Sequence, residues 1–196
     1  MRSMRLLVTM IALLTVCACS TTRETLPVRT ATEQLLLSTA ADRAAQQLRL
    51  SLVPNTKVFL EVDNFEGYDQ KYALSAIKNS LLLQRLDVVP DKSAAEVILE
   101  VRSGALSIDE NKKLWLGIPS FSVPLPLSNN SLTLPELALF RRDIQQGIAK
   151  FAITGYDQAG VFRASVGPVY GTSNRIHWVV LLVGWTTNDT VPEGIR

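Results

Sequence analysis

Between Ala31 and Leu50 apolar side chains return every three or four residues. Leu37, Ala41, Ala44 and Leu48 fall on one face, and Asp42, Arg43, Gln46 and Arg49 fall mostly opposite. This period predicts an amphipathic helix. Thr30 and Glu33 have the spacing of a capping box, in which the threonine oxygen accepts from a free amide at the helix start. Pro54-Asn55 supplies a turn beyond the helix. Lys57 to Phe65 then alternates, with Val58, Leu60 and Val62 on one side, as in a strand. Asp69 is placed to cap a second helix reaching about Leu86, with an apolar stripe of Ala73, Ile77 and Leu81 widened by Leu74, Leu82 and Leu83. Val88-Val89 reads as a short strand stopped by Pro90. Glu96 to Ser107 reads as a longer one, with Val97, Leu99 and Val101 alternating, before a turn at Asp109-Glu110-Asn111 leads into Lys113–Leu116.

Gly117 to Pro135 breaks these periods. It holds Pro119, Pro124, Pro126 and Pro135 together with Ser128-Asn129-Asn130-Ser131. A stretch of this length without periodicity predicts a long loop, either functional or mobile. Beyond it the pattern predicts strands at Leu137–Arg142, Ile148–Tyr156, Val161–Val166 and Arg175–Trp185, with Tyr156–Gly160 as a hairpin turn. In the last strand Ile176, Trp178, Val180 and Leu182 share one face, and His177, Val179 and Leu181 the other. Two largely apolar faces predict a central strand covered on both sides. From Thr186 the chain turns polar. The predicted fold class is α+β: a single domain over residues 30–186, with a mixed, largely antiparallel sheet packed by two helices, followed by a polar tail at 187–196.

The start of the chain changes the meaning of its composition. Met1-Arg2-Ser3-Met4-Arg5 precedes an apolar run from Leu6 to Cys19, the pattern of an export signal. The run is shorter than the roughly 17–25 residues of a membrane-spanning helix. It ends Val16-Cys17-Ala18-Cys19-Ser20, which resembles a bacterial lipobox: an aliphatic residue, a small residue, and then the cysteine that receives lipid. Cleavage before Cys17 would put the bulky Val16 in the small-residue position, so Cys19 is the predicted lipidation site, carrying diacylglyceryl and acyl chains that together anchor stably. Residues 1–18 form the predicted signal peptide and 19–29 a lipidated tether. Ser20, with no aspartate after the lipid cysteine, predicts the outer membrane and its periplasmic face. The whole chain carries Lys+Arg 20 against Asp+Glu 18. Losing Arg2 and Arg5 with the signal cancels that excess, so the mature domain has no global electrostatic case for nucleic acid or for an acidic membrane surface.

Chemistry is hard to place. Both cysteines, Cys17 and Cys19, lie at the signal, and His177 is the only histidine, so a structural zinc site is not expected. Asp63, Glu66 and Asp69 form an acidic loop whose spacing fits no calcium motif. No Gly-x-Ser-x-Gly elbow, Walker loop or Gly-x-Gly-x-x-Gly occurs. His177 sits in an apolar strand and reads as structural. Arg141 and Arg142 point to opposite faces of a strand and read as solvated edge charges. No catalytic residue, metal or cofactor is predicted. The best candidate surface is the 117–135 loop, where Trp115, Ile118, Pro119, Phe121, Pro124 and Pro126 form a predicted partner-binding set. The competing reading has this loop covering its own sheet.

With the lipobox, Thr30-Ala-Thr-Glu-Gln-Leu-Leu-Leu-Ser38, Gly117-Ile-Pro119 and Pro135-Glu-Leu-Ala-Leu139, the chain resembles a family of uncharacterised bacterial lipoproteins defined only as a domain of unknown function. Its strand–helix–strand–strand order is more loosely similar to envelope lipoproteins of the curli-secretion and TolB amino-terminal type, which implies an assembly or scaffold module. The expectation is a non-enzymatic lipoprotein, held in the membrane by its N-terminal lipid and binding another envelope protein or itself. The alternatives are a carboxylate-based hydrolase or transferase, and a subunit of an oligomeric secretion assembly.

Overall fold

The computed structural model describes residues 29–67, 69–124, 131–181 and 183–190. In chain order the elements are α1 (Ala31–Ala45), β1 (Lys57–Glu61), α2 (Gln70–Leu83), β2 (Asp87–Val88), a 3-10 turn (Lys92–Ala94), β3 (Val97–Ile118), β4 (Phe121–Pro124), β5 (Ser131–Leu134), β6 (Leu137–Tyr156), β7 (Phe162–Val180) and β8 (Val183–Asn188). Six strands form one sheet in the order β2-β1-β3-β6-β7-β8, and β4 and β5 form a separate pair. β1 runs parallel to β2 and β3, and the other pairings are antiparallel. The architecture is α+β and mostly sheet.

The core lies where both helices cover one face of the sheet. The stripe read from the sequence is buried: Leu37, Ala41, Ala44 and Leu48 from the first helical segment, and Ala73, Ile77 and Leu81 from the second. They meet Val58, Leu99, Val101, Phe151 and Ile153 of the sheet. Phe65 closes one end with its ring centroid 5.4 Å from that of Phe151. α1 lies unusually close to the strands. At Gly171 an added Cβ would overlap the Ala40 carbonyl, and at Gly147 it would stand 2.6 Å from the Leu36 oxygen. The buried Ser173 hydroxyl donates to that same Leu36 carbonyl.

Several boundaries differ from expectation. α1 ends at Ala45, although Leu48 and Leu50 stay in the core. Leu82 and Leu83 do not widen the stripe of α2 but are exposed. Asp69 stands at the start of α2 with φ 55°, and its side chain makes no cap bond; its carbonyl accepts from the amides of Tyr72 and Ala73 instead. The Tyr156–Gly160 turn forms as expected: Asp157 Oδ1 accepts from the Ala159 and Val161 amides, each at 2.9 Å, and Gly160 takes φ 80°.

The largest difference is strand length. No turn interrupts Asp109-Glu110-Asn111, and the paired segments expected after residue 137 are fused. β3, β6 and β7 run 22, 20 and 19 residues, against about 5–6 for a usual strand. At about 3.3 Å per residue β3 is roughly 70 Å long. Pairing holds charged residues in extended backbone here: Asp109–Lys113 is matched one to one with Gln146–Arg142. The described parts of the Gly117–Pro135 segment, 117–124 and 131–135, do not form a loop over the sheet. Ile118 faces Leu137, and Phe121 faces Leu134 in the same register, so β4 and β5 prolong the β3–β6 hairpin. The C-terminal segment also departs from the tail expected at 187–196, because β8 pairs through Asn188. Asp189 Oδ1 then accepts from the Asn174 amide, and its Oδ2 pairs with Arg43 at 2.9 Å.

Candidate functional site

Beyond the helices, the outer halves of β3, β6 and β7 continue with β8 as a four-stranded arm. β6 shows how the arm is built. From Gly155 back to Gly147 its odd-numbered residues are buried under the helices. Nearer the tip the odd positions become Gln145, Asp143 and Arg141, and the apolar side chains move to the even positions Ile144 and Phe140. Successive side chains of a strand point to opposite faces, so the apolar face changes sides of the sheet where helix cover ends.

The register carries this switch across the arm. Ile144 pairs with Ile176, Arg142 with Trp178 and Phe140 with Val180; Trp178 pairs in turn with Trp185, and Val180 with Val183. The result is a row of rings. Trp115 meets Phe140 edge-on at 5.0 Å, Phe140 stacks with Trp178 at 6.2 Å, and Trp178 stacks with Trp185 at 6.4 Å. The Arg142 guanidinium lies 4.8 Å from the Trp178 ring centroid. The row is only partly covered, with Trp115 61% and Trp185 47% exposed. In the β4–β5 hairpin Phe121, Val123, Leu132 and Leu134 share one exposed face, while Ser122 and Thr133 join their hydroxyls at 3.0 Å on the other.

The opposite face of the arm is polar and tied together. Gln145 donates to Glu110 at 2.7 Å and accepts from Arg175 at 3.0 Å. The amide of Gln145, aided by Lys112, holds the Glu110 carboxyl below its usual pKa. Arg141 pairs with Glu136 at 2.8 Å and Asp143 at 3.1 Å. His177 Nδ1 lies 2.9 Å from Thr186 Oγ1, so the histidine stands in a polar row rather than an apolar strand environment. Arg141 and Arg142 do point to opposite faces, but on an interior strand, not a sheet edge. Residues 175–180 of β7 likewise pair on both sides yet stay half-buried, not covered on both faces.

Two recesses bear on catalysis. One, between the helices, is lined by Asp42, Gln46, Arg49, Ser80 and Gln84; the other, on the polar arm face, by Lys112, Asp143, Arg175 and His177. Each holds a single carboxylate, so neither provides the acid pair that hydrolysis by two carboxylates requires. Three carboxylates have pKa values displaced downward, and each has structural partners. Glu61 is held down by hydrogen bonds from Lys92 and Tyr156, Glu110 as above, and Asp157 by the Val161 amide and Arg163. Among the described residues no three His, Cys, Asp or Glu side chains are grouped to hold a metal ion.

The residues expected to form a partner site fall unevenly. Trp115, Ile118 and Phe121 are exposed on the arm, with Pro119 exposed between β3 and β4. Pro124 ends β4. Pro126 and Cys19 lie outside the described residues. The sequence reading missed Phe140, Arg142, Ile144 and Trp185. Its available signal was the parity change within β6, which is visible only if 137–156 is read as one strand.

Fold and site together define an α+β domain bearing an amphipathic β-arm. The chain belongs to a family of unknown function, DUF6655, whose model matches residues 12–195. It has no match among curated proteins.

Proposed function

We propose that this chain is a non-enzymatic envelope lipoprotein, anchored through Cys19 at the periplasmic face of the outer membrane, that docks other envelope material with its β-arm. One observation carries this reading: the aromatic face of the arm is largely apolar, partly exposed and covered by no helix among the described residues. Contiguous apolar surface of this kind marks interaction sites in folded proteins. The lipobox Val16–Ser20 supports the anchor. Pairing along the outer edge of the arm is a weaker alternative, because Asp109, Glu110, Lys112 and Lys113 sit there, and charge on an edge strand opposes edge-to-edge association.

The test has two parts. Mass spectrometry of the mature N-terminus should find an acylated Cys19. A photo-crosslinking residue at position 115 or 185 should then give adducts in the native envelope, and one at the exposed helix position 83 should not. Equal yields from arm and helix positions would remove the docking assignment, and an unacylated terminus would remove the anchor.

A further inference from the structure

The arm and the start of α1 point the same way. Along α1 the Leu36 carbonyl meets Ser173, while Gln47 donates to the Tyr170 carbonyl at 2.5 Å. Moving toward the N-terminus of the helix is therefore moving up β7 toward the arm. Leu36 also sits over Gly147, whose partner on β3 is Ile108. From that level β3, the Pro119-Ser120 link and β4 continue to Pro124, about 50 Å of extended chain. The twelve steps from Cys19 to Ala31 span about 40 Å at most when fully extended. The arm thus reaches at least as far as the tether allows.

We infer that the occupant of the aromatic face is the lipid bilayer itself: the arm seats in the surface of the membrane that holds the Cys19 acyl chains, as a second attachment. This rests on the anchor proposed above. The chemistry of the face suits a lipid interface. Tryptophan favours the headgroup level, where an apolar ring and a polar N–H are both accommodated. Lys113 and Arg142, paired across β3 and β6, lie on this face, where long cationic side chains reach out to phosphate while their stems stay in apolar surroundings. The polar opposite face then remains in water. A second copy of the chain would have to bury Arg142 and Lys113 in the shared face, where a charge taken out of water needs an opposite partner.

The protein carries its own reporter, because its three tryptophans, Trp115, Trp178 and Trp185, all lie on this face. The mature acylated chain, reconstituted into phosphatidylethanolamine–phosphatidylglycerol vesicles, should show blue-shifted tryptophan emission and lose most of it to lipids brominated high on the acyl chain. Trp115→Glu and Trp185→Glu, both at exposed positions, should each abolish quenching of the remaining tryptophans while far-UV circular dichroism stays unchanged. Emission typical of water and unaffected by bromolipid, on a chain whose Cys19 is acylated, would overturn the inference and leave the anchor standing. The same would follow if crosslinks from position 115 ran to protein and none to lipid. An unacylated chain absent from the vesicles would instead count against the anchor on which the inference stands.

Discussion

The guanidinium of Arg142 lies 4.8 Å from the centroid of the Trp178 ring, on the face of the sheet opposite its sequence neighbour Arg141. The two arginines have different work. Arg141 is held by Glu136 and Asp143, whereas Arg142 covers an aromatic ring that no helix among the described residues shields. A cation over an indole contributes about 1 kcal/mol when partly desolvated. Arg142→Ala should therefore lower the thermal midpoint by about 3 °C for a domain of this size and alter the near-ultraviolet circular dichroism of the tryptophans. An unchanged midpoint would mean that the ring is supported by its aromatic neighbours alone.

The seat of α1 on β7 depends on Gly171. An added Cβ would run into the Ala40 carbonyl and the Ala44 amide, which are helix backbone and cannot step aside. Gly171→Ala should cost about 3 kcal/mol, the upper end for overpacking a core. Gly160→Ala is the useful control: nothing lies within 4 Å of its Cβ position, but its φ is 80°, so the cost should be about 1 kcal/mol of backbone strain. Urea denaturation of both variants checks the order.

Ser173 is fully buried and donates its hydroxyl to the Leu36 carbonyl. Ser173→Ala leaves that carbonyl its helical position but removes the tie between helix and sheet. The expected loss is about 1 kcal/mol, that of one neutral hydrogen bond. Hydrogen exchange should accelerate first in the opening turns of α1. A uniform change across the domain would argue that the tie is not local.

Asp157 anchors the β6–β7 turn by accepting from the Val161 and Ala159 amides and by pairing with Arg163 at 2.7 Å. These contacts depress its folded pKa, led by the Val161 amide. A depressed acid stabilises the fold above its unfolded pKa, and that stability is lost as pH falls through the folded value. Between about pH 5 and pH 2 the native protein should therefore lose stability faster than Asp157→Asn. Glu61 and Glu110, also depressed, leave a residual slope in the variant. Identical slopes for the two proteins would show that the turn contacts do not survive in solution.

Much of the body was legible because local period and burial agree there. The stripes of both helices, the alternation of Val97, Leu99 and Val101, and the Asp157 turn each follow from spacing and side-chain chemistry. The arm was harder to read. Asp109-Glu110-Asn111 has turn composition, yet it is strand because Gln146, Gln145 and Ile144 pair with it residue by residue. The prolines at 119 and 135 suggested a loop, but they fall at the joints between β3 and β4 and between β5 and β6, where no sheet pairing is needed. Pro124 closes β4 at its end, a position open to a residue that cannot donate to a ladder.

The sequence by itself determined which side chains must be buried near the helices, and it carries the lipobox at Cys19 on which the proposed anchor rests. Each is encoded over a few neighbouring residues. Only the tertiary structure decided that β6 keeps its alternation from Gly155 to Phe140 while its apolar side changes, bringing Trp115, Phe140, Trp178 and Trp185 into one row. A strand exposes both faces equally until something covers one, and here that cover comes from α1 and α2, placed far away in the chain. Where the helices end, the same alternation leaves the opposite face apolar and partly exposed.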